Sequence, residues 1–149
     1  MPLQSSKIEF AKHLIIKTFS FLYAEGYVYN LKYPNDETVI GTIDIEYTNE
    51  QIKRGISISY SHRKLDGDVI YGFNLSIVRS PYKDVTEDYF SMFIYLASLG
   101  KDFETRMVNH FDEIEAEKIV LQIAEALKTY AWDIVKGEKW LEGFYSRWN

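Results

Sequence analysis

Residues 55–78 read GISISYSHRKLDGDVIYGFNLSIV, and this stretch decides the fold. Asp66-Gly67, in its middle, is a favoured two-residue hairpin turn. When the chain is folded there, one register places every apolar pair on one face and every small polar pair on the other. The apolar pairs are Ile56–Ile77, Ile58–Leu75, Tyr60–Phe73 and His62–Tyr71, and the polar pairs are Ser57–Ser76, Ser59–Asn74 and Ser61–Gly72. A slip by one residue would destroy this sorting, so the stretch predicts an antiparallel hairpin in this register.

Two further strands are predicted before this hairpin, in YVYNLKY (residues 27–33) and TVIGTIDIEY (residues 38–47), with a turn at PND between them. The second alternates apolar Ile43, Ile45 and Tyr47 with polar side chains. The register of this first pair stays open, because the apolar residues of the first strand do not separate by face. The four strands form an antiparallel sheet with one apolar face, which helices must cover.

A helix is predicted over residues 6–25, before the strands. Ser6 and Glu9 fit a capping box at its start, and apolar residues then recur at helical spacing. Gly26 is placed to end the helix in the left-handed conformation. This helix is the first candidate to cover the apolar face of the sheet.

Helices are also predicted after the strands. Thr86 is expected to cap a short helix in EDYFSMFIYLASLG, which Gly100 ends. Residues 101–118 fit a loop that passes into a helix. A long helix is expected from Glu113 to Lys136, and Gly137 then breaks the chain before a short final helix. The buried stripe of the long helix is predicted to be Ile119, Ile123, Leu127, Tyr130, Ala131 and Ile134.

Together these elements predict an α+β fold: an N-terminal helix, then a four-stranded antiparallel meander whose apolar face is covered by N- and C-terminal helices. The length of 149 residues fits a single domain, residues 1–149. A domain of this size buries about 70% of the surface that its unfolded chain exposes, so its hydrophobic core suffices for folding.

The C-terminal residues contain all three tryptophans of the chain, Trp132, Trp140 and Trp148. In a final helix, Trp140, Phe144 and Trp148 share one face, because they lie four residues apart. We expect Trp140 and Trp148 to pack inward and cover the core, since large exposed aromatic patches are rare on monomers. The alternative is an aromatic face left open for a partner.

Catalytic signatures do not emerge from the sequence. The chain has no cysteine, no nucleophile elbow and no phosphate-binding glycine loop. His13 is expected on the surface and His62 half-buried at a strand end, while the spacing of His110 from its acidic neighbours matches no metal signature. Asp44 and Glu46 share the polar face of a strand, where burial would not raise the pKa values of the pair for acid–base work. We expect no catalytic residue, no cofactor and no metal.

Charge gives the clearest indication of a partner. The net charge is −5, and residues 84–149 carry seven Lys/Arg against thirteen Asp/Glu, a net of −6. Such a field repels nucleic acid; its first interpretation is a charged surface that keeps the protein in solution, and the alternative is attraction of a basic protein. No apolar run reaches the length of a membrane span and no secretory signal is recognisable, so a cytoplasmic location is expected. The candidate partner-binding residues are Asp84, Glu87, Asp88, Asp112, Glu113 and Glu115.

The order of elements, the acidity and the length resemble the small immunity proteins of bacterial polymorphic and contact-dependent toxin systems. The stretch ALKTYAWDIVKGEKWL, residues 126–141, is similar to the C-terminal helices of several such families. The resemblance implies a non-catalytic protein that binds a cognate toxin domain, in some families a basic nuclease, and blocks it. It assigns no individual residue a role, and the oligomeric state stays open.

Two other classes stay open. The acidity and the leading helix are also similar to effector-binding secretion chaperones, although these usually have a helix between strands, which is not seen here. The third class is a small-ligand or enzymatic α+β domain with a site between sheet and helices. A chaperone should be an obligate dimer, and a ligand domain should have a lined cavity.

Overall fold

The computed structural model of this protein describes residues 2–33 and 41–145, with side chains from residue 6 onward. The helices are α1 (Pro2–Thr18), α2 (Val85–Asp88), α3 (Met92–Ser98), α4 (Glu113–Tyr130) and α5 (Trp132–Val135). The strands are β1 (Val28–Lys32), β2 (Gly41–Asn49), β3 (Arg54–Leu65), β4 (Asp68–Arg79), β5 (Tyr89–Ser91) and β6 (Arg106–Val108). A 3₁₀ helix, Ser20–Glu25, follows α1. The fold is α+β with one antiparallel sheet, as predicted.

The predicted hairpin is confirmed pair by pair in β3 and β4. Tyr60 lies opposite Phe73, and all six other predicted pairs are present. The side chains of the apolar face are buried, while those of the polar face are partly or fully accessible. β2 joins β3 with the same sorting, because Ile43, Ile45 and Tyr47 are all fully buried.

The sheet has six strands in the described residues rather than four. The strand order is β1-β2-β3-β4-β5, and β6 also pairs with β4. β5 pairs with residues 76–78 of β4 and β6 with residues 70–72, so the two short strands occupy separate stretches of the same edge. Their formation depends on contact with β4, which three-residue segments do not reveal in their own sequence.

The first strand pair has the register that the sequence left open. Val28 lies opposite Thr48 and Lys32 opposite Asp44. The predicted turn between these strands lies outside the described residues.

The predicted first helix is wrong at its start. It begins at Pro2, so Ser6 and Glu9 lie within α1 and do not cap it. Proline is favoured at a first helical position because its missing N–H needs no partner there. The end of the helix also differs, because α1 ends at Thr18 and a 3₁₀ helix follows; Gly26, with a φ of 93° in the left-handed region as predicted, ends that 3₁₀ helix. α1 packs on β2, β3 and α4 and covers part of the apolar face.

The helix predicted to follow Thr86 is wrong in its cap and its continuity, although α3 lies within the predicted stretch and Gly100, with a φ of 68°, follows its end. Asp84 caps α2 instead, accepting a hydrogen bond from the Thr86 N–H at 2.8 Å. After four residues the chain becomes β5, and Ser91 then caps α3. Pairing of residues 89–91 with β4 therefore overrides their helical pattern.

The long helix is shorter than predicted. α4 ends at Tyr130, and Ala131, in a non-helical conformation, separates it from α5. Five of the six predicted stripe residues are buried, but Tyr130, the last residue of α4, is 37% exposed. Gly137 has a φ of 77°, and a Cβ there would lie 2.8 Å from the Ile52 Cβ, so the chain turns at a site that only glycine fits.

The chain after Gly137 forms no helix in the described residues 138–145, contrary to the prediction. It nevertheless packs on the core. The guanidinium groups of Arg54 and Arg79 lie 4.9 and 5.3 Å from the centre of the Trp140 ring, and the Trp140 Nε1 donates to the Glu87 carbonyl at 2.6 Å. The Phe144 carbonyl accepts from the Ser91 N–H of β5 at 2.7 Å. Trp140 thus packs inward, as predicted, and Trp148 lies outside the described residues.

Candidate functional site

Three of the predicted partner-binding residues lie together at the start of α4. Asp112 is the N-cap, and its Oδ1 accepts hydrogen bonds from the N–H groups of Ile114 at 2.8 Å and Glu115 at 3.1 Å. Glu113 and Glu115 are exposed in the first turn, where negative charge is stabilised by the helix dipole. Helix capping and the helix dipole already explain why acidic residues occupy these three positions. Identification of a binding site therefore requires evidence from the surface around them.

Exposed apolar side chains continue along α4 from this acidic end. Ile114 is 81% exposed and Leu121 is 50% exposed, although the opposite side of the same helix is buried in the core. With Lys101 and Phe103 they line a groove of about 660 Å³. We call this the α4 groove, and its apolar lining consists of Phe103, Ile114, Leu121, Ala126 and Tyr130.

The α4 groove lies in an acidic surrounding. Residues 101–103 and 112–130 together carry six Asp/Glu against three Lys, a net of −3. Glu117 and Glu125 line the groove itself, as do Lys101 and Lys118. Lys128, the third lysine, lies 4.3 Å from the centre of the Phe21 ring and 3.8 Å from the Glu125 carboxylate. An apolar surface with acidic margins can bind an apolar surface that carries basic residues.

The other three predicted residues lie in and beside α2. Asp84 and Glu87 are exposed. Asp88 is buried: its carboxylate accepts from the Arg79 Nε at 2.9 Å and from the Lys83 N–H at 2.7 Å. The hydrogen bond from Arg79 is the main cause that holds the pKa of Asp88 below its usual value. Asp88 is therefore a structural anchor, and its selection as a partner-binding residue is corrected.

The structure does not bring the two acidic groups together. Asp88 contacts Arg79 at the end of β4, whereas Phe111, next to Asp112, contacts the Tyr71 ring near its start. The eight residue-to-residue steps from Tyr71 to Arg79 span about 26 Å of strand. The α4 groove, with Asp112, Glu113 and Glu115 at one end, is therefore the better candidate site. Sequence reasoning missed Ile114 and Leu121, whose only signal is an apolar spacing of two helical turns beside the buried stripe.

A second groove lies over the polar face of the sheet, where β5 and β6 leave the middle of β4 uncovered. It has a volume of about 760 Å³, a floor of Ser59, Ser61 and Asn74, and a wall that includes Phe93 and Phe103. Such a volume and a mixed lining fit a small polar ligand.

The carboxylates of β2 lie on the same polar face. Glu46 pairs with Lys32 at 3.0 Å. Asp44 is partly buried, and its pKa is raised first by burial and then by the charge of Glu46. The raised pKa departs from the expectation for this pair, because Asp44 is less solvated than its place on a polar face suggests. Neither carboxylate lines the groove over β4.

Two of the histidines are exposed. His13 lies 3.5 Å from the Glu9 carboxylate, and His110 lies 3.9 Å from that of Asp112. Within residues 2–33 and 41–145, no group of three or more His, Asp or Glu side chains could hold a metal ion. In the same residues, no helix is long and apolar enough to cross a membrane.

His62 is more buried than predicted, at 2% exposed, because it points to the apolar face of β3. Its Nδ1 lies 3.3 Å from the Tyr60 hydroxyl, and its Nε2 has no hydrogen-bond partner among the described residues. The His62 ring contacts the Tyr71 ring of β4, over which the Lys7 ammonium of α1 lies. Gly41 of β2 also lies close to the His62 ring. Burial first, and the charge of Lys7 second, lower the pKa of His62.

We expect His62 to destabilise the fold in mild acid. Because its folded pKa lies below the unfolded value of about 6.5, the unfolded chain binds the proton first as the pH falls. The free energy of unfolding should thus decrease below about pH 6.5. In H62Q, urea unfolding at pH 7.5 and at pH 5.0 should show a smaller decrease. The exposed H13Q is the control and should behave as the unchanged chain does; equal pH dependence in H62Q would contradict the expectation.

No protein-family model, no curated protein and no solved structure matches this chain.

Proposed function

We propose that this chain is a non-catalytic protein-binding domain that binds and neutralises a toxin domain, in the manner of small immunity proteins. The observation that carries the proposal is the α4 groove, an exposed apolar surface beside the acidic residues Asp112, Glu113 and Glu115. Exposure of large apolar side chains to water is unfavourable, and a partner that covers them removes this free-energy cost. Here they lie on a helix whose other side is already buried in the core.

The charge supports a basic partner. Acidic margins around an apolar centre raise the rate of association with a basic protein and disfavour other acidic proteins. The apolar side chains then supply most of the affinity, because anchors of an interface lie at its dehydrated centre. A basic toxin domain, such as a nuclease, has the complementary charge.

The test is a neutralisation assay with the toxin domain that this proposal predicts to be encoded beside the gene of this chain. Purified toxin is titrated with the chain, and growth is measured when both are produced in bacteria. A binder neutralises the toxin at a ratio of one to one, whereas an enzyme that destroys the toxin or its product acts below that ratio. Neutralisation at catalytic amounts, or no neutralisation, would overturn the proposal.

Matched variants locate the site in the same assay. I114K and L121K should lose protection while they keep the circular dichroism of the unchanged chain, since both side chains are exposed. L65K is the control, because Leu65 is 54% exposed at the end of β3 and outside the α4 groove. If L65K abolished protection and the α4 variants did not, the proposed site would be wrong.

A small-ligand domain is a second candidate, favoured by the groove over the polar face of the sheet. S61W separates the two, because an indole at Ser61 would fill this groove and leave α4 unchanged. A neutralising protein should tolerate S61W, and a ligand-binding protein should not.

A further inference from the structure

We infer that the α4 groove binds a helix of its partner, one that carries an apolar stripe flanked by Lys or Arg. The inference rests on the proposed function and adds the form and chemistry of the partner segment. It is carried by the backbone of α4, the spacing of its exposed apolar residues and the charge around them.

The backbone argument excludes an added strand. Strand addition requires a sheet edge whose free N–H and C=O groups pair with the incoming chain. The groove is built on α4, an 18-residue helix whose interior backbone groups are paired within the helix. A strand placed there would leave its own backbone unpaired, at a cost in free energy, whereas a helix satisfies its backbone internally.

The spacing argument gives the apolar pattern. Ile114 and Leu121 are two turns apart, and the lining continues to Tyr130. From Ile114 to Tyr130 the helix rises about 24 Å, which matches a partner helix of about 16 residues. Apolar residues at positions i, i+3 or i+4, and i+7 of that helix would meet Ile114 and Leu121, with Phe103 forming one wall.

The charge argument selects a basic helix over a second copy of this chain. The lining of the groove itself carries two lysines and two glutamates, and the acidic margins around it are what two copies would oppose, because residues 101–103 and 112–130 carry a net of −3 in each copy. Like charges across an interface weaken it, whereas lysines or arginines beside the apolar stripe can pair with Glu113 and Glu117. Lys101 and Lys118, which also line the groove, can pair with single acidic residues of the partner helix.

The test uses synthetic 18-residue helical peptides and the full ¹⁵N-labelled chain. The first peptide has a leucine stripe flanked by lysines, the second replaces each lysine by glutamate, and the third has the first composition in scrambled order. We expect the first peptide alone to bind, with amide shifts confined to α4 and residues 101–103. I114K and L121K should weaken binding by about tenfold or more, and L65K should leave it unchanged.

Charge variants complete the test. E113Q combined with E117Q should weaken binding of the basic peptide at low salt more than D84N combined with E87Q, because the latter two lie at α2. Equal binding of the acidic peptide, shifts outside α4, or no binding of the basic peptide at about 1 mM would overturn the inference. So would self-association through α4, seen as a dimer that L121K disperses. Neutralisation of the toxin without peptide binding would refute the inference that the partner segment is a basic helix, and it would still support the proposed function.

Discussion

A chain ended after Gly137 is expected to aggregate or to lose cooperative unfolding. The deletion removes the contacts of Trp140 with Arg54 and Arg79, those of Phe144 with Phe90 and Tyr95, and the hydrogen bond to Ser91. Loss of a packed tryptophan typically costs about 3–5 kcal/mol, a large share of the total stability of a domain of about 5–15 kcal/mol. The deletion also uncovers β5, an edge strand open to intermolecular pairing.

Solubility, near-ultraviolet circular dichroism and thermal unfolding measure this effect. W140F in the full chain is the matched variant: it keeps an aromatic ring and the backbone contacts, so it should stay soluble and lose only part of the stability. If the truncated chain unfolded as cooperatively as the full chain and failed only to bind a partner, the C-terminal residues would belong to the interface instead.

R54A is expected to have the second largest effect. Arg54 is buried, and its guanidinium donates to the carbonyls of Ile134 at 3.0 Å and Lys139 at 3.1 Å, on either side of the turn at Gly137. Alanine leaves both carbonyls without this donor and removes the group that stacks on Trp140. Since a hydrogen bond to a charged group contributes about 1.5–3 kcal/mol, we expect a loss of about 3 kcal/mol or more.

Urea unfolding monitored by tryptophan fluorescence measures this loss. K64A, an exposed change on the same strand, is the control and should lie within about 0.5 kcal/mol of the unchanged chain. R54K should recover little, because an ammonium group lacks the planar fork that reaches both carbonyls. A loss in R54A no larger than in K64A would show that the turn is held by other contacts.

Elements held by interactions between residues close in sequence were predictable, and elements held by interactions between distant residues were not. The β3–β4 register was predictable because Asp66-Gly67 brings neighbours in sequence together and alternation fixes the faces. β5 and β6 were not, because each is three residues long and exists only through pairing with β4. The final segment lacks a helix for a similar reason: Arg54 and Ser91, distant in sequence, bind its backbone.

The candidate site was predictable only in its charge. The acidity of the C-terminal half indicated Asp112, Glu113 and Glu115, but the same reasoning selected Asp88, whose burial depends on Arg79. Charge in a sequence does not reveal which carboxylates face water. Ile114 and Leu121 lie outside the predicted buried stripe, but single exposed apolar residues are common on protein surfaces, so this alone did not mark them as a site.

The alternation of β3 and β4 also limits how the length of this chain can change during evolution. A single residue inserted or deleted within either strand would turn every later side chain of that strand to the opposite face, placing serines in the core and Tyr60 or Phe73 in water. Point substitutions face no such barrier on the polar side. Descendants of this sequence should therefore differ in length at Asp66-Gly67 and in other connections, while the interiors of β3 and β4 keep their residue count.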